Sequence, residues 1–161
     1  MEAVKRRTDR FLYREINYFG LWFYFAMAIL IALYALVGIA HARKRQIRDF
    51  LVFSGIDILL VAALVNFFRL TFEITESQVR FRFGIFGKRF EISRIKECMP
   101  CKISFWNYLG YGIRFGYDGS VAYNTRTGLG VKFIVDGLKR PYVVSVKDPG
   151  KVCDIIRRSR G

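Results

Sequence analysis

The sequence predicts a membrane α-helical hairpin followed by a mainly-β domain closed by one C-terminal helix. Three features point there. No charged side chain occurs from Asn17 to Ala40, and the run from Phe50 to Phe68 carries one, Asp57. From Leu70 onward apolar and polar residues alternate in short runs. Behind Asp148-Pro149 the spacing becomes helical, with Val152, Ile155 and Ile156 on one face.

Composition fits a chain that lives in two solvents. Apolar residues make up 53% of the 161 positions, yet 27 Lys+Arg against 13 Asp+Glu give a formal charge of +14. The apolar content excludes disorder. Three cysteines exclude a disulfide scaffold. One His and no acid–base or nucleophile cluster argue against an enzyme, so no catalytic residue, metal site or cofactor is expected. The length allows one ordinary domain plus an anchor.

Residues 1–17 read as a basic tail containing Lys5, Arg6, Arg7, Arg10 and Arg14. Residues 18–68 read as a two-helix transmembrane hairpin with spans 18–40 and 50–68. At ~1.5 Å per residue each span approaches or exceeds the ~30 Å hydrocarbon core. Tyr18, Trp22 and Tyr24 crowd the first turns, where aromatic side chains suit the headgroup level. A signal peptide would be shorter and end in a small-residue cleavage site. The nine residues His41–Asp49 are too few for a domain, so the spans run antiparallel. Ala28, Ala32 and Ala35, with Gly55, Ala62 and Ala63, offer small-residue contacts between them.

Asp57 lies ~12 Å into the second span, near the depth of Tyr34. An ionised carboxylate there costs ~2.5–3.5 kcal/mol on insertion scales. Two helices cannot enclose an ion path, so a structural or helix-association role for Asp57 and Tyr34 is expected ahead of transport. Eight Lys/Arg flank the spans on the tail and domain side against four in the loop, which places the N-terminus and the domain in the cytoplasm. An odd number of cysteines, read as unpaired thiols, agrees with a reducing compartment.

The domain, residues 69–161, is expected to hold six or seven antiparallel strands as a sheet or barrel. Val79, Phe81 and Phe83 alternate with Arg80 and Arg82. Phe90 and Ile92 follow, then Ile113 and Phe115, Val131 to Val135, and Tyr142 to Val146. Asp148 and Pro149 read as N-cap and first residue of the terminal helix, and Arg157, Arg158 and Arg160 suit its negative end. Strands followed by one helix is the pleckstrin-homology layout. That arrangement, with Phe83-Gly84-Ile85-Phe86-Gly87-Lys88, Tyr111-Gly112-Ile113-Arg114, Ala122-Tyr123-Asn124 and Asp148-Pro149, resembles small prokaryotic two-pass membrane proteins carrying a C-terminal PH-like (bacterial pleckstrin-homology) domain. The resemblance spans roughly residues 17 to 160. It implies a membrane-tethered interaction module and no catalytic motif.

Cys98-Met99-Pro100-Cys101 has Cys-x-x-Cys spacing. Ordinary structural thiols, a redox pair and a metal site are the alternatives; a zinc site would have only Cys153 and His41 to add. The apolar tip Ile85-Phe86, collared by Arg82, Lys88 and Arg89, could dip into a bilayer carrying anionic lipid, or could fold back onto the sheet. From Arg69 onward eighteen Lys+Arg face eight acids, but without a recognition helix or RNA-binding aromatics no nucleic-acid partner is expected. The sequence thus suggests a non-enzymatic, membrane-anchored module that docks a protein partner or serves as accessory subunit of a membrane complex. Recognition of anionic lipid headgroups is the second reading, and thiol redox chemistry at Cys98 and Cys101 the third.

Overall fold

A strand forms ahead of the apolar runs, where the sequence suggested only a tail. The computed structural model describes residues 10–44 and 47–160, so Lys5, Arg6, Arg7, Arg45 and the rest of 1–9 lie outside the described residues. Phe11–Tyr18 is β1. It pairs antiparallel with β2, Arg69–Thr75, from Tyr18↔Arg69 to Arg14↔Glu73 and beyond. Tyr18 and Arg69 stand opposite each other, so the chain leaves and re-enters the sheet at one point. The apolar hairpin is therefore an insertion between two neighbouring strands.

The inward side of β1 explains why alternation did not reveal it. Glu15 and Asn17 are the buried positions, and both are polar. Asn17 Nδ2 donates to the Ser145 carbonyl at 3.1 Å. The Lys147 amide donates to both Glu15 carboxylate oxygens at 2.9 and 3.1 Å, and the Tyr13 hydroxyl donates to Oε2 at 2.6 Å. Burial, and then the Glu15 carboxylate, push the Tyr13 phenol up, so it remains a donor. These bonds satisfy the buried polar groups and tie β1 to the far sheet.

Helices α1, Leu21–Arg43, and α2, Ile47–Asn66, are long and apolar enough to cross a membrane. They begin and end a few residues away from the expected spans, because helix geometry continues into the charged loop while Tyr18 belongs to β1. Their side chains are largely exposed; Leu21, Ile58 and Val65 show 76%, 69% and 70% of their surface. Such a continuous apolar surface suits hydrocarbon rather than water. The close approach between them is at Gly38, buried against the Phe53 side chain, and the His41 ring lies 5.1 Å from that of Phe53. Ala28, Ala32, Ala62 and Ala63 are exposed, while Ala35 and Gly55 are half-buried, so only part of the expected small-residue set is covered. At the base, the Tyr24 hydroxyl donates to the Phe68 carbonyl at 2.6 Å, joining the start of α1 to the chain leaving α2.

The domain is two sheets without a closed barrel. The first has the order β1-β2-β3-β4, with β3 at Gln78–Phe83 and β4 at Phe86–Glu91. The second uses β5 (Ile95–Ile103), β6 (Gly112–Phe115), β7 (Val121–Asn124), β8 (Gly128–Val135) and β9 (Tyr142–Ser145), in the order β5-β8-β9-β7-β6. β7 and β9 run parallel; the other pairs are antiparallel. The sheets meet through Phe72 and Phe81, whose rings lie 6.3 and 6.4 Å from that of Phe133. A short helix α3, Phe105–Tyr108, joins β5 to β6, and α4, Pro149–Arg160, packs on β5 and β8. The Lys151 amide donates to Asp148 Oδ1 at 2.9 Å, the expected N-cap, and Val152 and Ile156 are buried on the expected face.

Cys98 of β5 is joined by a disulfide to Cys153 of α4, with Cα atoms 5.4 Å apart. This corrects the expectation of a Cys98–Cys101 pair and of thiols that are all free. Residues three apart on a strand point to opposite faces. Cys98 thus turns toward α4, while Cys101 packs beside Ile103, Tyr108, Ala122 and Val143. Burial pushes the Cys101 thiol up, away from the thiolate a redox centre needs. The inference of a reducing compartment from unpaired thiols loses its premise.

Candidate functional site

Strand register gathers cations on the outer face of the first sheet. Side chains opposite each other on neighbouring strands share a face, so Arg14, Glu73, Arg80 and Arg89 form one row. Thr71, Arg82 and Gly87 form the next row toward the helices, followed by Tyr18 and Arg69. Arg80 stands directly opposite Arg89, a like-charge pairing that costs stability. Glu73 could relieve it, but it is held by Arg14 at 3.2 Å. Among the described residues no carboxylate comes within ion-pair distance of Arg69, Arg80, Arg82, Lys88 or Arg89. Arg80, Arg82, Lys88 and Arg89 line one open cleft of about 520 Å³. Gly87 is needed there: a Cβ would fall 2.5 Å from that of Arg82 and 2.8 Å from the Phe81 carbonyl oxygen.

The β3–β4 turn is docked on the end of α2. The Ile85 amide donates to Asn66 Oδ1 at 2.9 Å. Gly84 adopts a φ of +47°, and a Cβ on it would collide with Asn66. Phe86 stacks on Phe67 at 5.9 Å, and Phe67 in turn lies 5.5 Å from Phe83. Ile85 projects outward with 85% of its surface exposed. The tip therefore divides: Phe86 leans back on the aromatic base of the hairpin, and Ile85 does not. A second cleft, lined by Asn66, Phe68, Arg69 and Arg82, continues the basic face to the last turn of α2.

A second apolar prominence flanks α1. The Trp22 ring lies 5.9 Å from that of Tyr111, and Tyr111 lies 6.0 Å from Phe105. Trp106 beside it is 75% exposed, and Leu109 is also exposed. Arg82, Ile85, Lys88 and Arg89 line the same open cleft and Phe86 seats the turn beside it, although register sets Lys88 opposite the core residue Phe81, so its side chain leaves the edge strand on the other face from Arg80, Arg82 and Arg89; the structure adds Arg69, Arg80 and the Phe105–Leu109 segment. Arg80 was visible as a polar position in a strand; its place opposite Arg89 depends on register, which the sequence does not display.

Asp57 and Tyr34 are not brought together. The Tyr34 ring packs 6.1 Å from Phe53, one helical turn before Asp57, and the buried Asp57 Oδ1 has no hydrogen-bond partner. Among the described residues no three His, Cys, Asp or Glu side chains converge as a metal site. A polar cluster of Asp, Ser, Tyr and Lys, enzyme-like in composition, is a turn among the described residues. Asp118 accepts from the Ser120 amide and hydroxyl at 3.1 and 2.6 Å, Ser120 Oγ lies 2.8 Å from the Tyr108 hydroxyl, and Lys132 is 3.6 Å from Asp118. Burial lifts the Asp118 carboxyl, but hydrogen bonds from Ser120 and Asn107 and the charge of Lys132 outweigh it and leave it below the usual carboxylate value. A carboxylate so held closes the 116–120 turn and is a poor general base.

Comparison with known protein families, with curated proteins and with solved structures finds no match for this chain.

Proposed function

We propose that the chain is a non-enzymatic module anchored by its helical hairpin, with a PH-like domain lying against the cytoplasmic leaflet and recognising anionic lipid headgroups through Arg80, Arg82, Lys88 and Arg89. The observation that carries the reading is the seat of the β3–β4 turn on Asn66. If α2 crosses the bilayer, that seat sets the tip and its cations at headgroup depth. Each cation near an anionic surface contributes about 1 kcal/mol. Ile85, and Trp106 and Leu109 on the other flank, add apolar contact at the interface. A lipid headgroup is favoured over the protein partner considered from sequence because a membrane-spanning hairpin would bring the basic face against lipid headgroups without a further partner.

The full chain in bilayer discs provides the test. Amide exchange across β3 and β4 should slow when phosphatidylcholine discs are replaced by discs of equal parts phosphatidylcholine and phosphatidylglycerol. Added salt should reverse the protection, because it screens exposed charges. Lys88→Glu with Arg89→Glu should abolish it, while Lys151→Glu with Arg158→Glu on α4 should not. Equal losses from both pairs would leave only diffuse net charge, and no lipid-dependent protection would remove the proposal.

A further inference from the structure

A groove of about 350 Å³ opens between the bases of the two helices and β6, and it shares no residue with the basic cleft. Phe23 and Met27 of α1 and Ala63 and Leu64 of α2 give it apolar walls, and Ile113 and Arg114 of β6 close its domain end. Its volume lies within the ~300–1,000 Å³ of small-molecule sites. The walls continue from the exposed apolar faces of both helices, so hydrocarbon reaches the groove without crossing polar surface. Met27 is six residues past Leu21, which places it ~9 Å along α1 from the headgroup end.

The other end is cationic. Arg114 is exposed, and its Nε donates to the Tyr111 carbonyl oxygen at 3.0 Å, which orients the guanidinium. Among the described residues no carboxylate lies within ion-pair distance of it. A guanidinium is suited to a phosphate because two of its N–H groups can engage two oxygens at once. An apolar slot continuous with bilayer hydrocarbon and ending in an oriented cation matches an acyl chain with an anionic head.

We infer that the groove holds one acyl chain of an anionic bilayer phospholipid, with its phosphate on Arg114. The inference rests on the membrane-spanning reading of the hairpin but not on the basic cleft. Trp22 reports on the site, because its ring lies 5.9 Å from Tyr111 at the groove edge. In full-length protein carrying Trp106→Phe, Trp22 is the sole tryptophan. The chain is reconstituted in phosphatidylcholine vesicles doped with phosphatidylglycerol or phosphatidylcholine brominated on the acyl chains. Brominated phosphatidylglycerol should quench as though enriched about fivefold around Trp22, the ratio equivalent to ~1 kcal/mol for one cation near the surface. Arg114→Gln should bring the ratio to one. Ala63→Phe, which fills the groove and leaves the cation, should do the same, and Lys88→Glu with Arg89→Glu should leave the preference in place. Equal quenching by both lipids, or a preference that survives both Arg114→Gln and Ala63→Phe, overturns the inference. A preference lost only on reversing Lys88 and Arg89 assigns it to the basic cleft and overturns it too. A chain that fails to sediment with the vesicles overturns the membrane reading, and this inference with it.

Discussion

Replacing residues 19–68 with a two-residue Asn-Gly turn should give a folded, water-soluble domain, whereas a fragment beginning at Arg69 should be far less stable. The two chains differ by β1 and its turn. Because Tyr18 and Arg69 are directly paired in an antiparallel ladder, a two-residue turn closes the gap. The fragment loses the bonds from Asn17 to Ser145 and from Lys147 to Glu15, at ~0.5–1.5 kcal/mol each. It also loses the edge contact of Tyr13 with Phe72, at a ring separation of 6.1 Å, worth ~0.5–1.5 kcal/mol beyond area. The Arg14–Glu73 pair adds little on the Arg14 side, which is exposed, but its loss leaves the buried Glu73 carboxylate without its cation. The two bonds and the ring contact sum to ~1.5–4.5 kcal/mol, to which the stranded Glu73 carboxylate adds, against the ~5–15 kcal/mol of a small domain.

Urea unfolding followed by emission of Trp106, the tryptophan that remains in both chains, measures the difference. With a slope of ~1–3 kcal/mol per molar urea, the midpoint of the fragment should fall by about 2 M. Glu15→Ala in the bypassed chain should reproduce part of that loss, since it leaves the Lys147 amide without its acceptor. Equal midpoints and equal slopes for the fragment and the bypassed chain would refute the assignment of β1 to the domain.

Two further expectations concern the turn and the cysteines. Gly84→Ala should free the β3–β4 turn from Asn66, because the added methyl collides there and the backbone is left-handed, at ~1–2 kcal/mol; amide exchange at Ile85 and Phe86 should quicken while that of β8 is unchanged, and unaltered exchange would show that the turn is not seated on α2. If the domain faces the cytoplasm, alkylation before lysis should trap Cys98 and Cys153 as thiols that join only after isolation in air, and a disulfide already present in intact cells would place the domain on the oxidising side.

The legible parts of the fold have one wet and one dry face. β3, β8 and α4 each bury a regular apolar set, and their periodicity showed it. β7 buries all four of its residues and so has no alternation to read. β1 turns Glu15 and Asn17 inward, and their partners Lys147 and Ser145 lie some 130 residues away in the chain, beyond any local pattern. The Cys98–Cys153 pairing crosses 55 residues in the same way, and the nearer Cys101 drew attention only through its spacing.

The candidate site was half legible for a related reason. Arg82, Lys88 and Arg89 cluster in sequence, but clustering alone cannot separate a solvated rim from a directed surface. Register supplies that distinction. Along the β3–β4 ladder the acid Glu91 sits opposite Gln78 at the end remote from the helices, and Glu76 lies in the adjoining turn. Nearer the hairpin come Arg80 opposite Arg89, then Arg82 opposite Gly87, and Arg69 at the root of β2. Charge is therefore ordered along the strands, negative away from the helices and positive toward them. A surface arranged only for solubility would intersperse the two signs, and moving Glu91 two residues back would relieve Arg80. The arrangement instead keeps a repulsive pair unrelieved beside the place where the helices enter the fold. An external anion lying between the two guanidinium groups would offset that repulsion, and if the helices cross a membrane, the nearest dense source of anions to that end of the sheet would be acidic lipid headgroups.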